Sequence, residues 1–252
     1  MKKDDLGNRM KDFYESRTKL KLTRRTFTVI RIDGKAFHTY TRNLIKPFDL
    51  KFIEDMDKTA IYLCENIQGT KLAFVQSDEI SIILTDFDKL TTDAYFDGNI
   101  QKITSITASM ATAKFNQLRI LKKTLNSNKI YNKDIKLATF DSRVFTIPYK
   151  TEVINYLIWR QQDTVRNSIQ SVAQSLYSHK QLNGKNTAEL QEMIFQKGIN
   201  WNNYDPKLKH GRLIIKEYYQ KNAITRSRWI SINPEEFTKN NSQINNIIPN
   251  YI

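Results

Sequence analysis

The chain has 252 residues and carries 40 Lys and Arg against 26 Asp and Glu, a formal net charge of +14. Its 40% hydrophobic and 11% aromatic content supplies a buried core and excludes disorder, its 7 Gly and 5 Pro exclude a collagen-like repeat, and its single cysteine, Cys64, excludes a disulfide framework or a cysteine zinc site and fits a reducing compartment. So basic a surface attracts polyanions, nucleic acid first among them, although a solvated lysine-rich surface has the same composition.

The first residues, Met1-Lys2-Lys3-Asp4-Asp5, mix both signs of charge with no apolar run behind them. That pattern is neither a secretory signal nor an acid-poor transit peptide. No stretch approaches the ~18 consecutive apolar residues of a membrane span. A soluble, cytoplasmic protein is the expectation.

Residues 27–32 (Phe-Thr-Val-Ile-Arg-Ile) are rich in β-branched side chains and predict a buried strand ending in a turn at Asp33-Gly34. From Leu50 to Ile67, Phe52, Met56, Ala60, Leu63 and Cys64 recur at helical spacing, and Gln68-Gly69 closes that helix. Two short β-rich runs follow at 71–75 and 80–85, separated by Gln76-Ser77-Asp78-Glu79, which predicts a hairpin with a polar turn. A helix is expected over 100–118, an exposed basic loop over 119–134 and a strand over 136–140 that runs into Asp141-Ser142-Arg143. A long helix over 151–177, a helix over 187–197 and strand-like runs at 212–218 and 228–232 complete the chain. With no internal repeat and no linker, the pattern reads as one α+β domain with a C-terminal elaboration. The order strand, helix, hairpin, helix, strand, helix is that of a ferredoxin-like layer, an antiparallel sheet with helices on one face.

Such a layer brings two carboxylates together if its strands are neighbours. Asp33 ends the first strand, and Asp78 sits at the hairpin turn. Like charges held close repel unless a cation lies between them, and an oxygen-rich site of this kind suits Mg²⁺, which takes one or two carboxylates with water and substrate phosphates. Gly34 lets a backbone carbonyl or a phosphate come near. Taken singly, Asp-Gly is an ordinary turn and Asp78-Glu79 an ordinary solvated hairpin tip.

The succession Asp33-Gly34-Lys35-Ala36-Phe37-His38, Lys46-Pro47-Phe48-Asp49, Gln76-Ser77-Asp78-Glu79, Phe140-Asp141-Ser142-Arg143 and Trp159-Arg160-Gln161-Gln162-Asp163 resembles the tRNA-histidine guanylyltransferase-like family, the reverse (3′–5′) nucleotide polymerases. The resemblance runs from about residue 10 to residue 232 and implies a polymerase-like palm over about 25–178 with an extension over about 179–252, together one catalytic domain, 1–252. It implies that Asp33, the Gly34 carbonyl and Asp78 hold two Mg²⁺ ions, while the 3′-OH of an incoming nucleotide attacks the activated 5′ phosphate of a tRNA. Positioning and charge neutralisation carry most of such a transfer. Lys35, Ala36, Phe37, His38, Lys46, Ser77, Asp49 and Asn167 then belong near the nucleotide, ATP, GTP or another NTP. Glu79 orients a ligand rather than bearing metal, Asp49 also reads as the cap of the following helix, and a homotetramer is the family's common assembly. Lys122, Lys123, Lys209 and Arg212, with Arg119, Lys207, Arg226 and Arg228, are candidates for the tRNA backbone or plain solvated surface. Arg160 reads equally as a phosphate contact or a network residue, and Arg143 is similar.

Two positions depart from the eukaryotic members of that family. Where those enzymes carry His-Ile-Asn-Asn, this chain has Val165-Arg166-Asn167-Ser168, and Leu190 stands in place of a lysine. Apolar side chains cannot replace charge-assisted contacts to a 5′ triphosphate. The departures resemble the branch that repairs 5′-truncated tRNA by template-dependent addition, with single-G addition to tRNA-His as the alternative. A palm-type nucleotide cyclase would need a Gly-Gly-(Asp/Glu)-Glu-Phe hairpin, which is missing, and a non-catalytic RNA-binding module would have little use for Asp33 and Asp78.

Overall fold

The computed structural model describes residues 5–126 and 136–250. Helix α1 (Asp5–Phe13) opens the chain and buries none of its side chains. Strand β1 (Phe27–Gly34) leads through the short helix α2 (Phe37–Tyr40) to α3 (Leu50–Asn66), which Asp49 caps by accepting a hydrogen bond from the Phe52 amide. Strands β2 (Thr70–Gln76) and β3 (Glu79–Leu84) form the expected hairpin, and α4 (Ile100–Asn126) returns the chain to β4 (Phe140–Ile147). The long helix α5 (Lys150–Leu176) follows, then α6 (His179–Leu182), α7 (Thr187–Gln196) and α8 (Pro206–Lys209). A second hairpin, β5 (Arg212–Lys221) and β6 (Ile224–Ile232), and helix α9 (Ser242–Ile247) finish the fold.

All six strands join one antiparallel sheet in the order β4-β1-β3-β2-β5-β6. The first four strands have the ferredoxin-like order, with β3 set between β1 and β2 and β1 set between β3 and β4, so the α+β class and the ferredoxin-like layer are as expected. The helices differ from expectation: they cover both faces. On one face Met56, Ala60 and Leu63 of α3 and Phe115 of α4 pack against Ile30, Ile32, Val75 and Ile82. On the other, Val153 and Leu157 of α5, with Phe237 and Ile244, pack against Val29, Phe74, Ile83 and Leu213. This accounts for β3, in which every residue is buried and no polar alternation survives. A third cluster ties the end of α5 to α7 through Ile169, Val172, Leu190, Ile194 and Trp201.

Local differences from the sequence expectation have identifiable causes. Helix α4 runs eight residues past 118, because Arg119 lies on the helix and pairs with the fully buried Asp55 of α3 at 3.1 Å. No strand forms over 136–139: the Asn116 side chain takes both the amide (2.9 Å) and the carbonyl (2.8 Å) of Ala138, and the ladder begins at Phe140. The hairpin turn shrinks to Ser77-Asp78, since Gln76 and Glu79 are cross-strand partners, and Ser77 takes φ 43° to close it. Among the described residues no helix is long and apolar enough to cross a membrane.

The aromatic rings of Phe37, Tyr40, Phe52, Phe115 and Phe140 stack edge and tilt against one another directly beneath the end of β1. Fully burying a phenyl ring stabilises by roughly 1.5–3 kcal/mol, and the cavity left by truncation adds to that. Phe115→Ala is therefore expected to cost about 3–5 kcal/mol in urea unfolding, whereas Tyr218→Ala, at a site 68% exposed, should stay within about 0.5 kcal/mol.

Candidate active site

Strand pairing assembles the site at one end of the sheet. Asp33, near the end of β1, has Glu79 of β3 opposite it on one side and Asp141 of β4 on the other. Asp78, one residue before Glu79, comes with Asp33 to line a cavity of about 370 Å³, whose far wall is Asn167, Gln170 and Gln174 of α5. Gly34 follows Asp33 over the Phe37 ring. A Cβ there would lie 2.3 Å from a ring carbon of Phe37, so the position admits no side chain unless the aromatic cluster moves.

The three carboxylates have unequal surroundings. Glu79 is 5% exposed and surrounded by cations: Arg160 donates from Nε (2.8 Å) and Nη2 (2.7 Å) to its two oxygens, and the Arg31 Nε lies 3.1 Å away. Arg160 also donates to Asp163, and Arg31 reaches toward Asp33 at 3.6 Å. Among the described residues Asp78 has no such partner. Burial pushes its carboxyl up to about 6, the neighbouring charges of Asp33 and Glu79 push the same way, and a hydrogen bond from Ser77 opposes them. Asp163 is held below the usual carboxylate range: although burial opposes it, Arg166 and Arg160 pull it down.

A second cavity, of about 170 Å³, shares Gln76, Ser77, Asn167 and Ser171 with the first. Its lining is partly apolar (Leu44, Pro47, Phe48, Phe52) and also includes Lys46, Asn167, Lys207 and Arg212. Four of the sequence-derived nucleotide candidates, Lys46, Asp49, Ser77 and Asn167, thus meet around it. Asp49 does so while capping α3, its Oδ1 accepting from Phe52 at 2.8 Å. The others stand apart. Phe37 is core, 4% exposed, and Ala36 is the left-handed residue (φ 55°) before α2. Lys35 is exposed, its amide bonded to the Thr139 carbonyl, and His38 is exposed against Thr39.

Several basic candidates for the tRNA backbone are engaged in ion pairs or hydrogen bonds within the chain. Arg160 is 4% exposed and committed to Glu79 and Asp163, so it is a network residue. Arg212, also 4% exposed, pairs with Asp57 at 2.8 Å, and the partly exposed Arg119 pairs with Asp55. Lys209 donates to the Asn202 carbonyl (2.6 Å) and lies over the Trp201 ring. Arg143 stays exposed, 3.7 Å from Asp141, and Arg228 pairs with Glu217 on the second hairpin. Lys122 and Lys123 fall on the α4 backbone rather than in a loop; their side chains, like residues 127–135, lie outside the described residues.

Arg31 is the site residue that the sequence reading passed over. A lone cation inside an apolar strand, two residues before Asp33 and therefore on the same face, was its signal. Thr164, which donates to Gln76 at 2.7 Å, had none.

The sequence profile of the tRNAHis guanylyltransferase (Thg1) family matches residues 7–148. A bacterial tRNA(His) guanylyltransferase (Thg1)-like protein solved in complex with ATP superposes with a TM-score of 0.86 at 43% identity, over 97% of this chain and 99% of that one. A structure of such a bacterial protein with GTP gives 0.81 at 42%, over the same shares. The tRNA(His) guanylyltransferase of Eremothecium gossypii is 30% identical over 206 residues, 76% of this chain and 83% of its own length. With family motifs in order along the chain, two carboxylates at the end of a ferredoxin-like sheet and these likenesses, the chain belongs to the tRNAHis guanylyltransferase family and is a nucleotidyltransferase enzyme.

Proposed function

We propose that this chain repairs 5′-truncated tRNA by template-dependent 3′–5′ addition of nucleotides. The observation that carries the choice within the family is the fate of two side chains. Val165 packs into the same apolar cluster as Leu190, which is 4% exposed between Ile169, Ile194 and Trp201. An imidazole and an ammonium are thus replaced by hydrocarbon inside a packed cluster, where a charge would be costly to restore. That disfavours a dedicated single-G addition and leaves the carboxylates of the sheet end untouched.

Asp33, Asp78 and the Gly34 carbonyl are the groups that would hold Mg²⁺. Among the described residues no cluster of three or more His, Cys, Asp or Glu is placed to hold a metal, so a closed all-protein site does not fit. An open site does: Glu79 is already neutralised by arginine, and Asp78 is a half-buried carboxylate with no cation partner among the described residues. Mg²⁺ accepts such a pair and fills its remaining positions with water and phosphate oxygens. When bound, the ions neutralise the phosphate charge that builds up during transfer.

The chain's own groups do the positioning. Ser77, at the lip shared by both cavities, donates to a phosphate oxygen; Lys46 and Lys207 balance phosphate charge; Asn167 orients the nucleotide from α5. The 3′-OH of the bound NTP attacks the activated 5′ phosphate of the tRNA. The P–O bond to its leaving group, pyrophosphate or AMP, breaks as the new one forms. Pairing with the opposite strand of the acceptor stem chooses the base, so no base-reading motif for the template is required. By family resemblance the assembly is a homotetramer.

The decisive assay gives purified protein, Mg²⁺ and all four NTPs to a tRNA lacking its 5′ nucleotide. Extension should copy the opposing base; exclusive G addition to full-length tRNA-His would overturn the proposal in favour of the guanylyltransferase activity. Asp33→Ala and Asp78→Ala should each reduce extension at least 10³-fold while tRNA binding, read by filter retention, changes little.

A pH dependence follows from Asp78. Its folded-state pKa, about 6, is raised above the ordinary 3.8, so the folded state holds the extra proton and this group's contribution to stability declines as pH rises from about 4 to about 6. In EDTA at pH 7, Asp78→Asn should therefore be more stable than the wild type, by at most about 3 kcal/mol, with the advantage gone below about pH 4. Mg²⁺ competes with that proton, and its apparent affinity should fall as pH drops through 6. Thermal melts and Mg²⁺ titrations at both pH values check the two outcomes.

A further inference from the structure

One large aromatic side chain at the carboxylate end of the sheet stays exposed and has no part in the mechanism proposed above. Trp159 of α5 is 47% exposed, although the side chains it rests on are buried. The guanidinium of Arg160 lies over its ring, 4.5 Å from the centroid, and the Tyr156 ring meets it at 5.9 Å and 62°. Arg160 is itself held by both oxygens of Glu79 and by Asp163, and Tyr156 is hydrogen-bonded to Ser81. The indole therefore sits on a fixed base. Because Arg160 is buried beneath it, the surface that Trp159 leaves open belongs to its edges and to the ring face turned away from Arg160. A cover for the Arg160–Glu79 pair needs only hydrocarbon; a rigid indole with an open face is also a stacking platform.

Its neighbours say what it could stack against. Arg160, adjacent in sequence, and Asp163, one turn on, line the cavity that holds Asp33 and Asp78. Two exposed arginines share this end: Arg166, two turns along the same strip of α5, and Arg143 of β4, which lies across the ladder from Arg31. An open aromatic face with guanidinium donors around it is the chemistry of single-stranded nucleic acid binding, where bases stack on rings whatever their identity. The reaction itself chooses the RNA strand. Addition at a 5′ end needs the outer face of the terminal base pair free, because the incoming nucleotide stacks on it. A fixed ring against that face would exclude the nucleotide. The opposite RNA strand, unpaired beyond the recessed 5′ end, has no such restriction and must be held open for copying. We infer that Trp159 stacks on an unpaired base of this overhanging template strand, next beyond the base being copied, and so positions the template. Stacking reads a π face and no hydrogen-bond pattern, which suits a site that copies any of the four bases.

This role rests on the repair reaction proposed above, and RNA duplexes with a recessed 5′ end test the two separately. One duplex has an intact overhang, a second has an abasic residue next beyond the templating base, and a third has one at the recessed 5′ nucleotide. With the label at the far end of each duplex, fluorescence anisotropy should show the wild type binding the first at least about fivefold more tightly than the second. Exchanging that overhang base among A, C, G and U should change affinity less than about threefold. In Trp159→Leu, which keeps a hydrocarbon cover over Arg160, the ratio of first to second should fall to within about twofold; in Trp159→Phe, which keeps a ring, it should stay above that. Thermal melts identify a variant that fails to fold, and a ratio of two RNAs on one protein discounts any general loss of affinity. Equal binding of the first two duplexes by the wild type, a ratio that survives Trp159→Leu, or a larger loss with the third duplex than with the second overturns the role of Trp159. Copying extension of the intact duplex leaves the repair reaction standing in each of those cases, whereas its absence overturns the repair reaction and the role of Trp159 together.

Discussion

A carboxylate can be buried only where cations and donors replace its water. Glu79 is buried next to two more carboxylates, and the end of the sheet depends on how that charge is met. The bidentate hold of Arg160 and the approach of Arg31 take Glu79 out of circulation and join α5 to β3 and β1. Asp33 and Asp78 are left with incomplete compensation and line a cavity, which is why they are the groups proposed to take an external cation. One acid is surrendered to arginine so that the other two can stay available.

The same economy governs the basic excess. With both faces of the sheet covered, the open edge of the layer at Asp33 and Asp78 is where ligands can enter, and the +14 charge would appear to belong wholly to a nucleic-acid surface. Part of it does not. Arg31, Arg119, Arg160 and Arg212 are turned inward against Glu79, Asp55 and Asp57, where they fix helices to strands. Arginine suits that use because its planar fork stays charged and meets a carboxylate in two places.

The layer itself was legible because its signals are local: a β-branched run at 27–32, helical spacing over 50–67, a polar turn between two apolar runs. Motif order named Asp33 and Asp78 as candidates, and the structure brings both to the lining of one cavity. What escaped was set by distant partners. Glu79 lies 81 residues from Arg160 and Asp57 lies 155 from Arg212, so neither arginine shows in the sequence whether it faces solvent or a carboxylate. Residues 136–139 look strand-like, yet Asn116 claims the backbone that a ladder would need. Composition misled over 119–126, where lysine and asparagine suggested a loop but the Arg119–Asp55 pair keeps the helix going.

Three polar ties recur at every fourth residue of α5. Tyr156 meets Ser81 at 2.7 Å, Arg160 meets Glu79, and Thr164 meets Gln76 at 2.7 Å. Four helical residues advance roughly 6 Å, close to the roughly 7 Å of the two strand residues from Ser81 to Glu79, and the third rung crosses to Gln76, the partner of Glu79 on the neighbouring strand. The helix thereby works as a ruler. A slip by one strand residue would turn Ser81 and Glu79 to the opposite face, and a slip by one helical turn would set each rung against the wrong partner. Either error strands several buried polar groups at once. The same arithmetic that braces the fold also gauges where Asp78 stands, because the turn that carries it is only two residues long and both of its ends, Gln76 and Glu79, are rungs.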